Sequence, residues 1–194
     1  SGTQALTLTG KTFVLSHVYA DNGSFTVTVT VTDDDTGVGS DTVAITVNNV
    51  APTIALTGAA TVNEAATYTL TLGAITDPGA DTVTEWIVHW GDGSSDTYTT
   101  GGDKTHVYAD DNPTATAFDL HTITVDLEDE DGTYAGAGTK LITVYNVAPN
   151  LVDSVPNQTG RKDRNIPLPS VTFTDPGLTA DDYTATVNWG DGSG

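Results

Sequence analysis

Carboxylates in short loops are the residues of this sequence best placed to do chemistry. They occur as Asp33-Asp34-Asp35, as Asp77 before Pro78-Gly79, as Glu128-Asp129-Glu130-Asp131, and as Asp175 before Pro176-Gly177. Oxygen donors of this kind suit a hard cation, above all Ca²⁺, which gathers about six to eight oxygens from carboxylates, carbonyls and water. The charge balance points the same way: 26 acidic residues stand against 6 Lys plus Arg, a formal charge of −20. That excludes a basic nucleic-acid footprint and disfavours anionic membrane surfaces. Solubility through mutual repulsion is the competing reading of the same charge, and it needs no ligand.

Other chemistries find less support. The chain has no Cys, so disulfides and thiolate zinc sites are absent. His17 and His106 occupy matching positions, where packing against a neighbouring turn is the simpler reading than metal or acid–base work. His89 and His121 add no three-ligand zinc set, and no Gly-Xaa-Ser-Xaa-Gly motif occurs. Paired carboxylates could in principle hydrolyse glycosides, but here they sit in turns that repeat along the chain, which argues for architecture. Trp86 shares strand parity with Trp90 and reads as core, with sugar stacking as its alternative. Lys11, Lys104, Lys140 and Lys162 are the only lysines an isopeptide cross-link could use, and none occupies a clearly buried strand position. Asn22-Gly23-Ser24 and Asn157-Gln158-Thr159 match the short glycosylation sequon.

The acidic loops belong to a larger internal repeat. Asn49-Val50-Ala51-Pro52 returns as Asn146-Val147-Ala148-Pro149, 97 residues later. Thr76-Asp77-Pro78-Gly79 returns as Thr174-Asp175-Pro176-Gly177 after 98, and Trp90-Gly91-Asp92-Gly93-Ser94 as Trp189-Gly190-Asp191-Gly192-Ser193 after 99. His17-Val18-Tyr19-Ala20-Asp21 returns as His106-Val107-Tyr108-Ala109-Asp110 after 89, with an insertion around Asp111–Leu120 explaining the shortfall. Motif order then divides the chain: residues 1–48 are the C-terminal half of one unit, 49–146 a complete unit, and 147–194 the N-terminal half of another. Ser193-Gly194 also matches Ser1-Gly2.

Strands must carry these loops. Phe25, Val27, Val29 and Val31 alternate with threonines, as a half-buried strand requires. Ile123, Val125 and Leu127 repeat that pattern, Val43, Ile45 and Val47 match Ile142 and Val144, and Trp86, Val88 and Trp90 match Ala185, Val187 and Trp189. Tyr183 shares the parity of the last set, so a strand is predicted over Tyr183–Trp189. No segment has helical periodicity beyond a turn, and no apolar run approaches the about 20 residues of a membrane span. The predicted class is all-β: tandem immunoglobulin-like β-sandwiches with turn signals about every ten residues.

With those motifs in place, the unit resembles the PKD (polycystic kidney disease) domain. That family's strand ends in Trp and a Gly-Asp-Gly turn, followed by His-Xaa-Tyr, a Gly turn and an alternating strand that runs into an acidic loop. Trp90–Ser94, His106–Tyr108 and Ile123–Asp131 carry the resemblance in the complete unit. His17–Tyr19, Asn22–Gly23 and Phe25–Asp35 carry it in the first, and Trp189–Ser193 in the last. The insertion after Asp110, and Lys140 where the first unit has Val43, depart from the pattern. The resemblance implies adhesion, spacing or assembly outside the cell, in surface proteins, large adhesins or secreted hydrolases, and no catalysis.

In a seven-strand sandwich, the chain's arrival, the second loop and the sixth loop share one pole. The candidate calcium ligands are therefore Asn49, Asp77, Asp129, Glu130 and Asp131 in the complete unit. Asp33, Asp34 and Asp35 are their counterparts in the first, and Asp175 in the last. The competing reading makes Asp77 a turn cap and Asp33–Asp35 a solvated loop. The functional expectation is a structural or adhesive repeat of a large extracellular or cell-surface protein, a rod stiffened by calcium, and not an enzyme. Its expected partner is itself, with residues 147–194 of one copy completing residues 1–48 of the next. The alternative is a module of a secreted hydrolase that binds carbohydrate or extracellular matrix.

Overall fold

The structure, a computed structural model, describes residues 2–111, 116–152, 155–177 and 183–192. The matching chain ends Ser1 and Ser193-Gly194, and positions 112–115 of the insertion, lie outside the described residues.

Thr, Val and Ile in alternation build strands wherever a partner strand is available, and among the described residues there is no helix. The all-β class expected from the sequence is what the chain adopts. Two sheets dominate. One has the order β4-β10-β9-β6-β7, from β4 (Thr61–Asn63), β6 (Glu85–His89), β7 (Ser95–Tyr98), β9 (Phe118–Asp129) and β10 (Gly132–Tyr145). The other has the order β3-β5-β8, from β3 (Thr53–Gly58), β5 (Thr67–Thr76) and β8 (Gly102–Val107). Only the β4–β10 pairing in these sheets is parallel.

One core joins the two sheets. Tyr68, Leu70 and Leu72 of β5 and Ile54 of β3 pack with Trp86 and Val88 of β6, Ile123, Val125 and Leu127 of β9, and Ile142 and Val144 of β10. Burying each such aliphatic side chain is worth about 1.5–3 kcal/mol. Every buried apolar residue of this core lies between Ile54 and Val144. Lys140 falls on the inward parity of β10, opposite Ile123, and is half-buried. Between Tyr134 and Gly138 the β9–β10 register shifts, a bulge that re-aims the strand near its start.

The flanks are thinner. β1 (Gly23–Thr32) and β2 (Val38–Val47) form a two-stranded hairpin in which Phe25, Val27 and Val29 are half-buried and Val31 and Val43 exposed. β11 (Asn150–Leu151) pairs with β12 (Phe173–Thr174) over two residues each. The strand predicted over Tyr183–Trp189 is not formed. A strand exists through its ladder, and no described strand pairs with this segment, although the Tyr183 ring meets Phe173 of β12 at 4.9 Å.

Candidate cation sites at the two poles

The Trp90–Ser94 turn and the His106–Tyr108 segment hold each other in place. Gly91 and Gly93 adopt φ of 88° and 92°, and Asp92 Oδ1 accepts the Ser94 amide at 2.9 Å. Asp92 Oδ2 lies 2.7 Å from His106 Nε2, and the buried Tyr108 hydroxyl donates to the Trp90 carbonyl at 2.9 Å. Burial pushes the Asp92 carboxyl up, but hydrogen bonds from the Ser94 hydroxyl and amide, with His106 beside it, outweigh that and leave it below its ordinary value. His106 is thus a packing residue, as expected. His89 pairs with Asp126 at 3.0 Å, and His121 Nδ1 faces the Gly91 carbonyl at 3.2 Å. Trp86 is core.

The leading pole, where the first hairpin meets the central core, collects the acidic residues predicted as ligands within residues 49–146. Asn49 donates to the Tyr134 hydroxyl, and its Oδ1 accepts the Val50 amide at 2.5 Å. Asp77 Oδ1 accepts the Gly79 amide at 3.1 Å, and Asp129 Oδ1 accepts those of Asp131 at 2.8 Å and Gly132 at 3.3 Å. In both residues the second carboxylate oxygen is buried and accepts no hydrogen bond. Glu130 Oε2 accepts the Thr82 amide at 3.2 Å. Asp131 Oδ1 accepts from the Asn22 amide at 2.9 Å, and the Ala80 amide donates to the Ala20 carbonyl at 2.8 Å. These two bonds dock the first segment on the central sheets. The Asn22 side chain of one sequon is therefore engaged in the joint.

Asp81, which the sequence reading did not single out, stands in this cluster. Its burial, followed by the charges of Asp21, Asp77, Glu130 and Asp131, pushes its carboxyl up to about 6. Burial, the charges of Asp129 and Asp131 and a hydrogen bond with Asp129 likewise push the Tyr134 phenol up, outweighing the bond from Asn49. The pole concentrates negative charge and uncommitted oxygens, the electrostatics a cation would relieve.

The remaining candidates are placed differently. Asp33, Asp34 and Asp35 occupy the exposed turn between β1 and β2, where Asp33 Oδ1 accepts the amides of Asp35 at 3.1 Å and Gly37 at 2.6 Å. Asp175 Oδ1 accepts the Gly177 amide at 3.0 Å, and its Oδ2 is buried without a hydrogen bond. Asp175 thus repeats the turn chemistry of Asp77.

Among the described residues, one set of three acidic side chains brings an oxygen from each within 4.8 Å of the others, and it is none of these. It is Glu64, Asp110 and Asp111, at the trailing pole. The turn after β4 makes it: the Ala65 amide donates to the Tyr108 carbonyl at 2.7 Å and the Glu64 amide to the Tyr145 carbonyl at 2.9 Å. Glu64 Oε1 then accepts the Val147 amide at 2.7 Å. Burial, then the charges of Glu64 and Asp110, a hydrogen bond shared with Asp110 and the charge of Asp119, push the Asp111 carboxyl up to about 6. The only signal for this set in the sequence is Asp110-Asp111 itself, the second copy of Asp21-Asn22; Glu64 carries none.

No family model matches the chain, and no curated protein matches it.

Proposed function

We propose that this chain is a length of tandem immunoglobulin-like sandwich repeats of the PKD type, with a mechanical role in a large extracellular or cell-surface protein. The observation that carries this reading is the contrast between two copies of one motif. Trp90 is 0% exposed inside the central core, and Trp189 is 63% exposed. Trp189 needs the layer that Tyr108 and His106 supply to Trp90. The matching residues, His17 and Tyr19, sit at the other end of the chain, where Val14 and Val18 are exposed. Complementary apolar faces call for each other, supplied by flanking sequence or by a neighbouring copy, and either produces a serial rod.

The docking of Ala20 and Asn22 on Ala80 and Asp131 is what a joint in such a rod looks like. Calcium at the leading pole, between Asp77, Asp81, Asp129 and Asp131, would neutralise that joint and stiffen it. Sedimentation of the 194-residue chain over a wide concentration range tests the self-association. Growth into long head-to-tail species supports it, and a monodisperse monomer with Trp189 still exposed counts against copy-to-copy completion.

The binding-module reading draws on one feature. Phe118 and Tyr145, partners across β9 and β10, expose their rings on the outer sheet face with centroids 5.8 Å apart. Their planes are inclined at 54°, so they do not form the flat platform on which a sugar ring stacks. Titration with soluble oligosaccharides, followed through the Tyr145 signal, tests it.

A further inference from the structure

Acidic side chains are seldom fully enclosed without compensation, yet Glu64 is 2% and Asp111 3% exposed. Asp110 follows the same Tyr108 that anchors the Glu64 turn, and one oxygen of each carboxylate lies within 4.8 Å of the others. Independently, Asp111 Oδ2 is buried and accepts no hydrogen bond. A buried acceptor without a donor is unfavourable, and more so when charged, so a carboxylate held this way favours a positive partner.

We propose that Glu64, Asp110 and Asp111 hold a divalent cation, Ca²⁺ by the chemistry of an all-oxygen set carried on turns, at the trailing pole. Three carboxylates with water can build the irregular shell that Ca²⁺ accepts, whereas Mg²⁺ demands a near-ideal octahedron. The site is separate from the leading-pole cluster and does not depend on it. Its effect falls on the chain's departure from the core, because Glu64 Oε1 accepts the Val147 amide at 2.7 Å. An ion that fixes Glu64 fixes the Asn146–Pro149 segment with it. The feature is not a copied motif: the residues 97 and 98 positions beyond Glu64 are Arg161 and Lys162.

The test is a Ca²⁺ titration of the EDTA-stripped 194-residue chain, following the heat of binding and the backbone amide resonance of Val147. Wild type, Asp111→Asn, Glu64→Gln and the leading-pole variant Asp129→Asn are compared. The Val147 resonance should move saturably in wild type and in Asp129→Asn with the same midpoint. In Asp111→Asn and Glu64→Gln the midpoint should rise at least tenfold. Asp111→Asn should melt no lower than wild type in EDTA, since it removes a crowded charge, and should gain less from added Ca²⁺. An unmoved Val147 resonance in wild type at about 10 mM Ca²⁺, above the usual range of extracellular sites, overturns the proposal. So does an unchanged midpoint in Asp111→Asn, or a lower melting temperature of that variant in EDTA. An equal midpoint for Mg²⁺ overturns the assignment to calcium.

Discussion

His106 lies flat on Trp90, with ring centroids 4.6 Å apart and planes 8° from parallel, and so binds two motifs separated in sequence into one packed unit. Tyr108, whose ring meets His106 edge-on at 4.7 Å, completes it from the same face by donating to the Trp90 carbonyl. Tyr108→Phe leaves that buried carbonyl without its donor and should cost about 1–3 kcal/mol. Urea denaturation would read this as a lower midpoint with an unchanged slope. An unaltered midpoint would show that the hydrogen bond contributes nothing to the fold.

The turn between these motifs offers a sharper comparison. A Cβ on Gly91 would stand 2.7 Å from the Thr122 carbonyl oxygen, whereas one on Gly93 meets nothing within 4 Å. Both residues have positive φ. Gly93→Ala should therefore lose only the left-handed penalty of about 1–2 kcal/mol. Gly91→Ala should lose distinctly more, because a backbone carbonyl in β9 must also shift. Equal losses in parallel melts would contradict the steric account.

How far these features were readable in advance depends on whether their partners are local. The β9 alternation of Ile123, Val125 and Leu127 and the Asp92 turn follow from periodicity and turn chemistry alone, and both are present. The gathering of Asn49, Asp77 and Asp129–Asp131 at one pole also followed from strand order. Glu64 was not readable: it joins Asp110 and Asp111 only because the Ala65 amide reaches Tyr108, a contact no local pattern announces. Tyr183–Trp189 fails in the reverse direction. Its alternation is sound, but a strand takes its hydrogen bonds from neighbours, and parity cannot say whether neighbours are present.

Acid sensitivity should run through Asp92. Its folded value lies below its unfolded one, so the unfolded chain binds more protons as pH falls through the carboxylate range. The stability it contributes is complete above the unfolded value and lost as pH descends through the folded one. Asp92→Asn should lower stability at neutral pH and flatten the loss between about pH 5 and pH 2. Denaturation midpoints of the two proteins across that window check it, and parallel curves would assign the acid lability elsewhere.

Trp189 is the reporter for the proposed completion of residues 147–194 by a neighbouring repeat. Trp86 and Trp90 are buried, so Trp189 is the exposed indole among the three. Appending a second copy of residues 3–48 after Gly194 should supply the matching His-Val-Tyr strand and bury it. Its emission should shift to the blue and acrylamide quenching should fall severalfold, while the Trp189→Phe version of the longer chain should show neither change. Emission that stays red in the extended chain would mean the two halves do not form one sandwich.

Calcium at the leading pole is testable apart from the trailing one. Asp77 and Asp129 each bury an oxygen that accepts no hydrogen bond, and Asp131 ties the pole to Asn22. A ligand bound only by the folded state stabilises it by about 2.7 kcal/mol at a hundredfold excess over its dissociation constant. Calorimetric melts should therefore move upward when Ca²⁺ replaces EDTA. Asp129→Asn should remove part of the gain, and Asp129→Asn combined with Asp111→Asn nearly all of it. The first segment should respond as well: amide exchange at Ala80, whose donor meets Ala20, should slow with Ca²⁺ in wild type and not in Asp129→Asn. Melting temperatures identical in Ca²⁺ and EDTA would leave the acidity of both poles to electrostatic repulsion alone, and the rod without a metal-set joint.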